Sequence, residues 1–184
     1  MSDTPADSQD KTANPNPVES AAELLAHAHK IEADAAEHYG LLAEQMETHN
    51  NPEVAKLFRK LEWVEGLHAG KILERAGDAT LPTLSPWESI WPGDRSPEAV
   101  DLGEAHYLMT PWQALQMALK AEQNAFAFYD RLANTATDPE IKQLATEFAA
   151  EEREHVELVH KELEKHPPPD DTWSEDPDPA RSPG

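Results

Sequence analysis

One pattern occurs twice in this chain at nearly constant spacing. Glu32 is followed seven residues later by Tyr39, and Glu122 by Tyr129. Pro52-Glu53 precedes Glu65-x-x-His68, and Pro139-Glu140 precedes Glu152-x-x-His155. The copies are offset by 90 residues (32 to 122) and by 87 residues (65 to 152). A chain that repeats carboxylates and imidazoles in this register must place them symmetrically, and few architectures can.

The start and stop signals say which. Asn16-Pro17, Asn51-Pro52, Thr110-Pro111 and Asp138-Pro139 each set a capping side chain before a proline, which suits the first position of a helix. Thr110 and Gln113 also fit a capping box. Asn50-Asn51, Gly77, Thr137-Asp138 and Pro167 are the matching stops. The signals predict helices over 17–49, 52–76, 111–136 and 139–165. Connections this short within the first and second pairs require antiparallel hairpins. Residues 78–109 hold Pro82, Pro86, Pro92, Gly93 and Pro97, so they form a long crossover and not one helix. Within it, Ser96-Pro97-Glu98 is expected to cap a short helix through about Tyr107, and Trp87, Ile90 and Trp91 to pack the crossover onto the bundle. An all-α, antiparallel four-helix bundle with its long crossover between helices 2 and 3 is the expected fold.

The apolar stripes run at spacings of three and four, which define one helical face. In the first helix the stripe reads Leu25, Ala28, Glu32, Ala35, Tyr39, Leu42, and in the third Leu115, Ala118, Glu122, Ala125, Tyr129, Leu132. The second gives Leu57, Phe58, Leu61, Glu65, His68, Ile72, and the fourth Leu144, Ala145, Phe148, Glu152, His155, Val159. The acids and imidazoles therefore interrupt the faces that should form the core. A bare carboxylate there costs several kcal/mol unless it is paired or binds a metal. Lys30, Lys120 and Arg153 flank the stripes without joining them. Two divalent ions would neutralise four carboxylates. Glu and His three residues apart share a face, and mixed oxygen and nitrogen ligation suits iron or manganese, with zinc also able to bind. The expected metal ligands are Glu32, Glu65, His68, Glu122, Glu152 and His155. Glu65 and Glu152 are placed between the ions, with Glu32 and Glu122 terminal and one His on each ion. Tyr39 and Tyr129 are expected as hydrogen-bond partners of ligand carboxylates, with an ordinary core role as the competing assignment. Glu62, one turn before Glu65, lacks an acidic counterpart, since Ala149 occupies the repeat position. His27 and the remaining histidines show no repeat.

Composition narrows the rest. Thirty-six acidic against fifteen basic residues give a formal charge of −21, which argues against nucleic acid and anionic membranes as partners. Cysteine is absent, which excludes disulfides, thiolate zinc sites, Cys-ligated iron–sulfur clusters and Cys nucleophiles. Neither a signal peptide nor an 18-residue apolar run is visible, so a cytoplasmic location is expected. Residues 1–16 and 166–184 are polar and proline-rich and are expected to be disordered tails around a bundle at 17–165.

With the doubled Glu…Glu-x-x-His pattern in place, residues 17–165 resemble the ferritin-like di-iron superfamily, in particular its rubrerythrin and bacterioferritin branches. The resemblance implies a centre of two iron ions held by the six residues above, reacting with peroxide or dioxygen. It also differs in detail. The four-Cys rubredoxin-type site has no counterpart, Ala125 stands where rubrerythrins usually carry a further Glu, and Gly66 stands where the bacterioferritin haem methionine would be. The expected function is a non-haem di-iron oxidoreductase, either a peroxidase or a ferroxidase. It would draw on an external electron donor protein and assemble as a homo-oligomer. The alternatives are a metal-binding or structural bundle without turnover, and a manganese catalase-like enzyme.

Overall fold

The computed structural model describes residues 18–84, 90–91 and 96–170. Four helices account for most of them: α1 (Ala21–Thr48), α2 (Pro52–Ala76), α3 (Pro111–Thr135) and α4 (Pro139–Leu163). Among the described residues of the crossover, one 3-10 turn, Leu102–Glu104, is present. Each cap does what its residue type allows. Asn51 Oδ1 accepts from Val54 N at 3.4 Å, and Asp138 Oδ1 accepts from Glu140 N and Ile141 N at 2.8 and 3.1 Å. Thr110 N donates to Gln113 Oε1 at 2.8 Å, the backward half of the capping box.

Two sequence expectations need correction. Helix α1 begins at Ala21, four residues after Pro17, because Ser20 is the working cap: its Oγ accepts from Glu23 N at 3.2 Å. Asn16 and Pro17 lie outside the described residues. The short helix expected after Ser96 reduces to the turn at Leu102–Glu104, where Asp101 Oδ1 accepts from Gly103 N at 2.9 Å. Trp87 is outside the described residues, while Ile90 and Trp91 are buried as expected.

Helices α1 and α2 form one hairpin and α3 and α4 the other. The turn between α1 and α2 is tight enough to hold Asn50 at φ 57°, a conformation Asn tolerates better than most residues. At its far end α2 stops at Gly77, also at φ 57°. The apolar interior divides into two clusters. One gathers Leu24, Ile31, Ile72, Trp91, Phe128, Tyr129, Leu144 and Phe148. The other gathers Tyr39, Leu42, Met46, Phe58, Val100, Leu115, Ala118 and Val159. Following each helix through the clusters gives its direction. Helices α1 and α4 run from the first cluster to the second, and α2 and α3 run from the second to the first. Successive helices α2 and α3 therefore point the same way, and only a connection as long as the molecule can join them. That is the physical reason for the crossover.

Candidate metal centre

Every helix changes cluster at an acid. Glu32 falls between Ile31 and Ala35, Glu65 between Phe58 and Ile72, Glu122 between Ala121 and Ala125, and Glu152 between Ala149 and Val159. The four carboxylates thus occupy one polar layer between two apolar halves, and all four are buried. They are there because 3.6-residue periodicity leaves them no other face.

Two compact groups result. Glu32, Glu65 and His68 bring one donor atom each to within 4.8 Å of one another, and so do Glu122, Glu152 and His155. In the first, His68 Nδ1 is 2.9 Å from Glu65 Oε2 and 3.7 Å from Glu32 Oε2. In the second, His155 Nδ1 is 3.1 Å from Glu152 Oε2 and 3.4 Å from Glu122 Oε2. The two imidazoles stack in parallel, with centroids 4.3 Å apart and planes 5° apart, so the groups face each other across one axis. Donors about 3 Å apart match neighbouring ligands on one ion with bonds of about 2.1 Å.

The electrostatics describe a site that holds protons where cations could sit. Burial pushes Glu32 up to about 7, opposed by the nearby His68 ring and reinforced by Glu152 and Glu65. Burial likewise raises Glu152 to about 7, against the pull of His155, and it raises Glu122. Burial alone would lower the imidazoles, but their carboxylate neighbours win: His68 is held at about 9 and His155 at about 11. The donor chemistry fits a pair of divalent ions on three counts. Four carboxylates match their charge, two imidazoles supply one nitrogen to each group, and the buried Glu32 Oε2 has no hydrogen-bond partner among the described residues.

The remaining predicted residues divide. Tyr39 and Tyr129 are fully buried on either side of the polar layer, one in each apolar cluster. Tyr39 stacks on Phe58 at 6.1 Å, and Tyr129 packs against Phe128 and Phe148. The Tyr129 hydroxyl has no hydrogen-bond partner among the described residues. Glu62 stands apart from the donor groups. It accepts from Arg59 Nη1 at 3.0 Å, and a Cβ on Gly40 would come within 2.8 Å of its Oε1, so that glycine lets it lie close against α1.

Two buried polar residues escaped the sequence. His27 is 1% exposed and packs edge-on against Trp91 at 5.7 Å. Glu98, from the crossover, is 3% exposed. It brings a carboxylate oxygen to within 4.8 Å of oxygens of Glu32 and Glu152, a third donor group. Neither belongs to the repeat, so no periodic signal could have found them.

The site opens between α2 and α4, where a cleft of about 310 Å³ is lined by Glu32, His68, Lys71, Arg75, Phe148 and His155, among others. Arg75 spans the gap, pairing with Glu147 and lying 5.4 Å over the Phe148 ring.

Comparison with known proteins gives the same outline. The sequence profile of the rubrerythrin family matches residues 23–90 and 113–177. A solved structure of an uncharacterized conserved protein from Magnetospirillum magnetotacticum MS-1 shares 40% identity over 82% of this chain and 98% of its own, with a TM-score of 0.60. A hypothetical protein from Pyrococcus furiosus shares 25% identity over 79% of this chain and 89% of its own, with a TM-score of 0.40. No curated protein matches.

Proposed function

The chain belongs to the rubrerythrin family, and from that premise we propose that it is a non-haem di-iron oxidoreductase reducing peroxide or dioxygen. The observation that carries this reading is the pair of facing Glu, Glu, His groups in a layer that interrupts an otherwise apolar core. Iron bound there would supply the two electrons that such an oxidant requires.

The chain's own residues would do the rest. Glu32, Glu65 and His68 would hold one ion, and Glu122, Glu152 and His155 the other. Glu65 and Glu152, on the two helices that also carry the imidazoles, would be the carboxylates that serve both ions. The imidazole Nδ1 atoms must give up their protons to bind, which ties loading to pH. The apolar clusters on either side would shield the carboxylate layer from water. The cleft beside His68 and His155 admits a molecule the size of peroxide. Electrons for further turnovers come from a separate donor protein, because the chain has no Cys for an electron-transfer site of its own.

The functional unit is the bundle at 17–165, working in the cytoplasm as a dimer or larger assembly. Among the described residues no helix is long and apolar enough to cross a membrane. Exposed Trp63 and Leu67, one turn apart on α2, offer apolar surface for self-association.

The test is to load the protein anaerobically with Fe(II) and then mix it with peroxide or dioxygen while recording its optical spectrum. Oxidation of two irons per chain, followed by turnover when an external reductant is supplied, is expected. Iron that binds but stays ferrous with both oxidants would overturn the oxidoreductase reading and leave a metal-binding bundle.

A further inference from the structure

Among the described residues of the crossover, Ile90, Trp91, Glu98, Val100 and Met109 are buried against the bundle. Trp91 is buried in the first apolar cluster and Val100 in the second. The chain passes from one cluster to the other between them, and Glu98 lies at that boundary, level with the polar layer. Its neighbours are fixed on both sides. Ala99 N donates to Ser96 O at 3.0 Å, closing the turn that carries Glu98. Downstream, Asn51 Nδ2 donates to Tyr107 O and Met109 O at 3.2 and 2.8 Å, tying the end of the crossover to the α1–α2 turn.

The side chain itself points to a ligand. Glu98 is 3% exposed and its Oε1 has no hydrogen-bond partner among the described residues. It meets oxygens of Glu32 and Glu152, and the Oε2 of Glu32 also lacks a hydrogen-bond partner among the described residues. The charged groups that act on it most strongly are Glu32, Glu152, Glu65 and Glu122, all acids. Folding a carboxylate into a cluster of carboxylates is unfavourable unless it takes up a proton or a cation is shared among them, and a shared cation also uses the oxygens that find no hydrogen bond.

We propose that Glu98 is a metal ligand, delivered by the crossover to an oxygen-only face of the centre that it forms with Glu32 and Glu152. This rests on the two-metal reading of the six helical residues. It makes the donor set asymmetric, with five carboxylates and two imidazoles, since Glu98 has no repeat counterpart among them. The extra hard oxygen raises the number of ligands the protein offers. Octahedral ions such as Mn(II) and Fe(II) use those positions, whereas zinc is satisfied by four. Glu98 therefore contributes to metal choice as well as to affinity.

The experiment measures binding and not turnover. Metal-free full-length protein and its Glu98→Gln variant are titrated with Mn(II), and separately with Zn(II), after circular dichroism has checked that both fold. The proposal expects the Gln variant to lose about tenfold or more in Mn(II) affinity and less than about threefold in Zn(II) affinity. Unchanged Mn(II) affinity in Glu98→Gln, with two ions bound as in the parent, overturns the role of Glu98 and leaves the six-residue centre standing. A parent protein that binds neither ion overturns the centre itself, and this proposal with it. If the Gln variant fails to fold, Glu98→Asp decides. Its carboxylate is retracted by one methylene, so it weakens Mn(II) if the residue is a ligand and leaves binding unchanged if it only fills space.

Discussion

The helices and the crossover meet at the same polar layer but arrive by different physics. Each hairpin delivers Glu, Glu and His from regular helix, and the two deliveries nearly superimpose: His to its own-helix Glu is 2.9 Å in one and 3.1 Å in the other. The crossover delivers Glu98 from a turn without internal periodicity, held by Trp91 and Val100 in separate clusters and by Asn51 from outside. A donor on a helix is aimed by every hydrogen bond of that helix. A donor on a loop is aimed by a few tertiary contacts and should be easier to dislodge. The difference separates what builds the centre from what tunes it.

The sharpest break in this contrast is Glu152→Ala. Glu152 takes part in both the α3–α4 group and the group with Glu32 and Glu98. Its loss should weaken both ions together, by more than about 100-fold each, a larger effect than removing a group that only supports a ligand. Isothermal titration with Mn(II) checks this, and a variant that keeps two tightly bound ions contradicts the central position of Glu152.

Next in size is the interplay of pH and chelation. Glu32 and Glu152 are raised to about 7 from an ordinary 4.5, so the folded apo protein keeps protons that the unfolded chain releases. Their ionisation erodes stability as pH climbs from about 4.5 to 7. His68 and His155 are raised to about 9 and 11, so their contribution is complete below about 6.5 and is lost as pH rises through those values. Both signs agree. The apo melting temperature should fall between pH 5 and pH 8, by more than about 5 °C at the usual few degrees per kcal/mol. Metal binding needs the deprotonated ligands and runs the other way. Chelation should therefore lower the melting temperature most at pH 8 and least at pH 5. Scanning calorimetry at both values tests it, and an apo protein that is more stable at pH 8 than at pH 5 would contradict the buried cluster.

Asn51→Ala addresses the tether. It removes the α2 cap and both hydrogen bonds to the crossover. By the usual worth of a cap and exposed-edge hydrogen bonds, the cost is about 2 kcal/mol. A thermal melt should drop by roughly 4–8 °C. Mn(II) affinity should fall by less than in Glu98→Gln, because the six helical donors are untouched. Equal loss in the two variants would mean that the crossover's position, and not the Glu98 carboxylate, governs binding.

How much of this was legible in sequence follows the same line. Caps and prolines marked α2, α3 and α4 closely because those signals act within a few residues. The start of α1 was misplaced because Asn16-Pro17 and Ser20 both offer caps, and only packing decides between them. Glu32, Glu65, Glu122 and Glu152 stood out because periodicity is computable from the chain. Ser96-Pro97-Glu98 read as a helix cap, since a loop residue's burial depends on where distant Trp91 and Val100 are seated. His27 was passed over for a related reason: it lies just off the α1 stripe, and Trp91, which packs against it, comes from the crossover.

The smallest expected effect concerns Tyr129. Its hydroxyl is buried without a hydrogen-bond partner among the described residues, so Tyr129→Phe should change apo stability by less than about 0.5 kcal/mol or raise it. If the hydroxyl bonds a ligand carboxylate once metal is present, the loaded protein alone loses stability in the variant. Paired melts of apo and Mn(II)-loaded protein separate these outcomes.

The central claim is that the interrupted core is a two-metal site. Metal analysis of protein refolded in excess Fe(II) without oxygen, then desalted, tests it most directly. Two irons per chain are expected, falling toward zero in Glu152→Ala. A folded parent protein that retains no iron, and whose melting temperature is the same with and without it, would contradict the account.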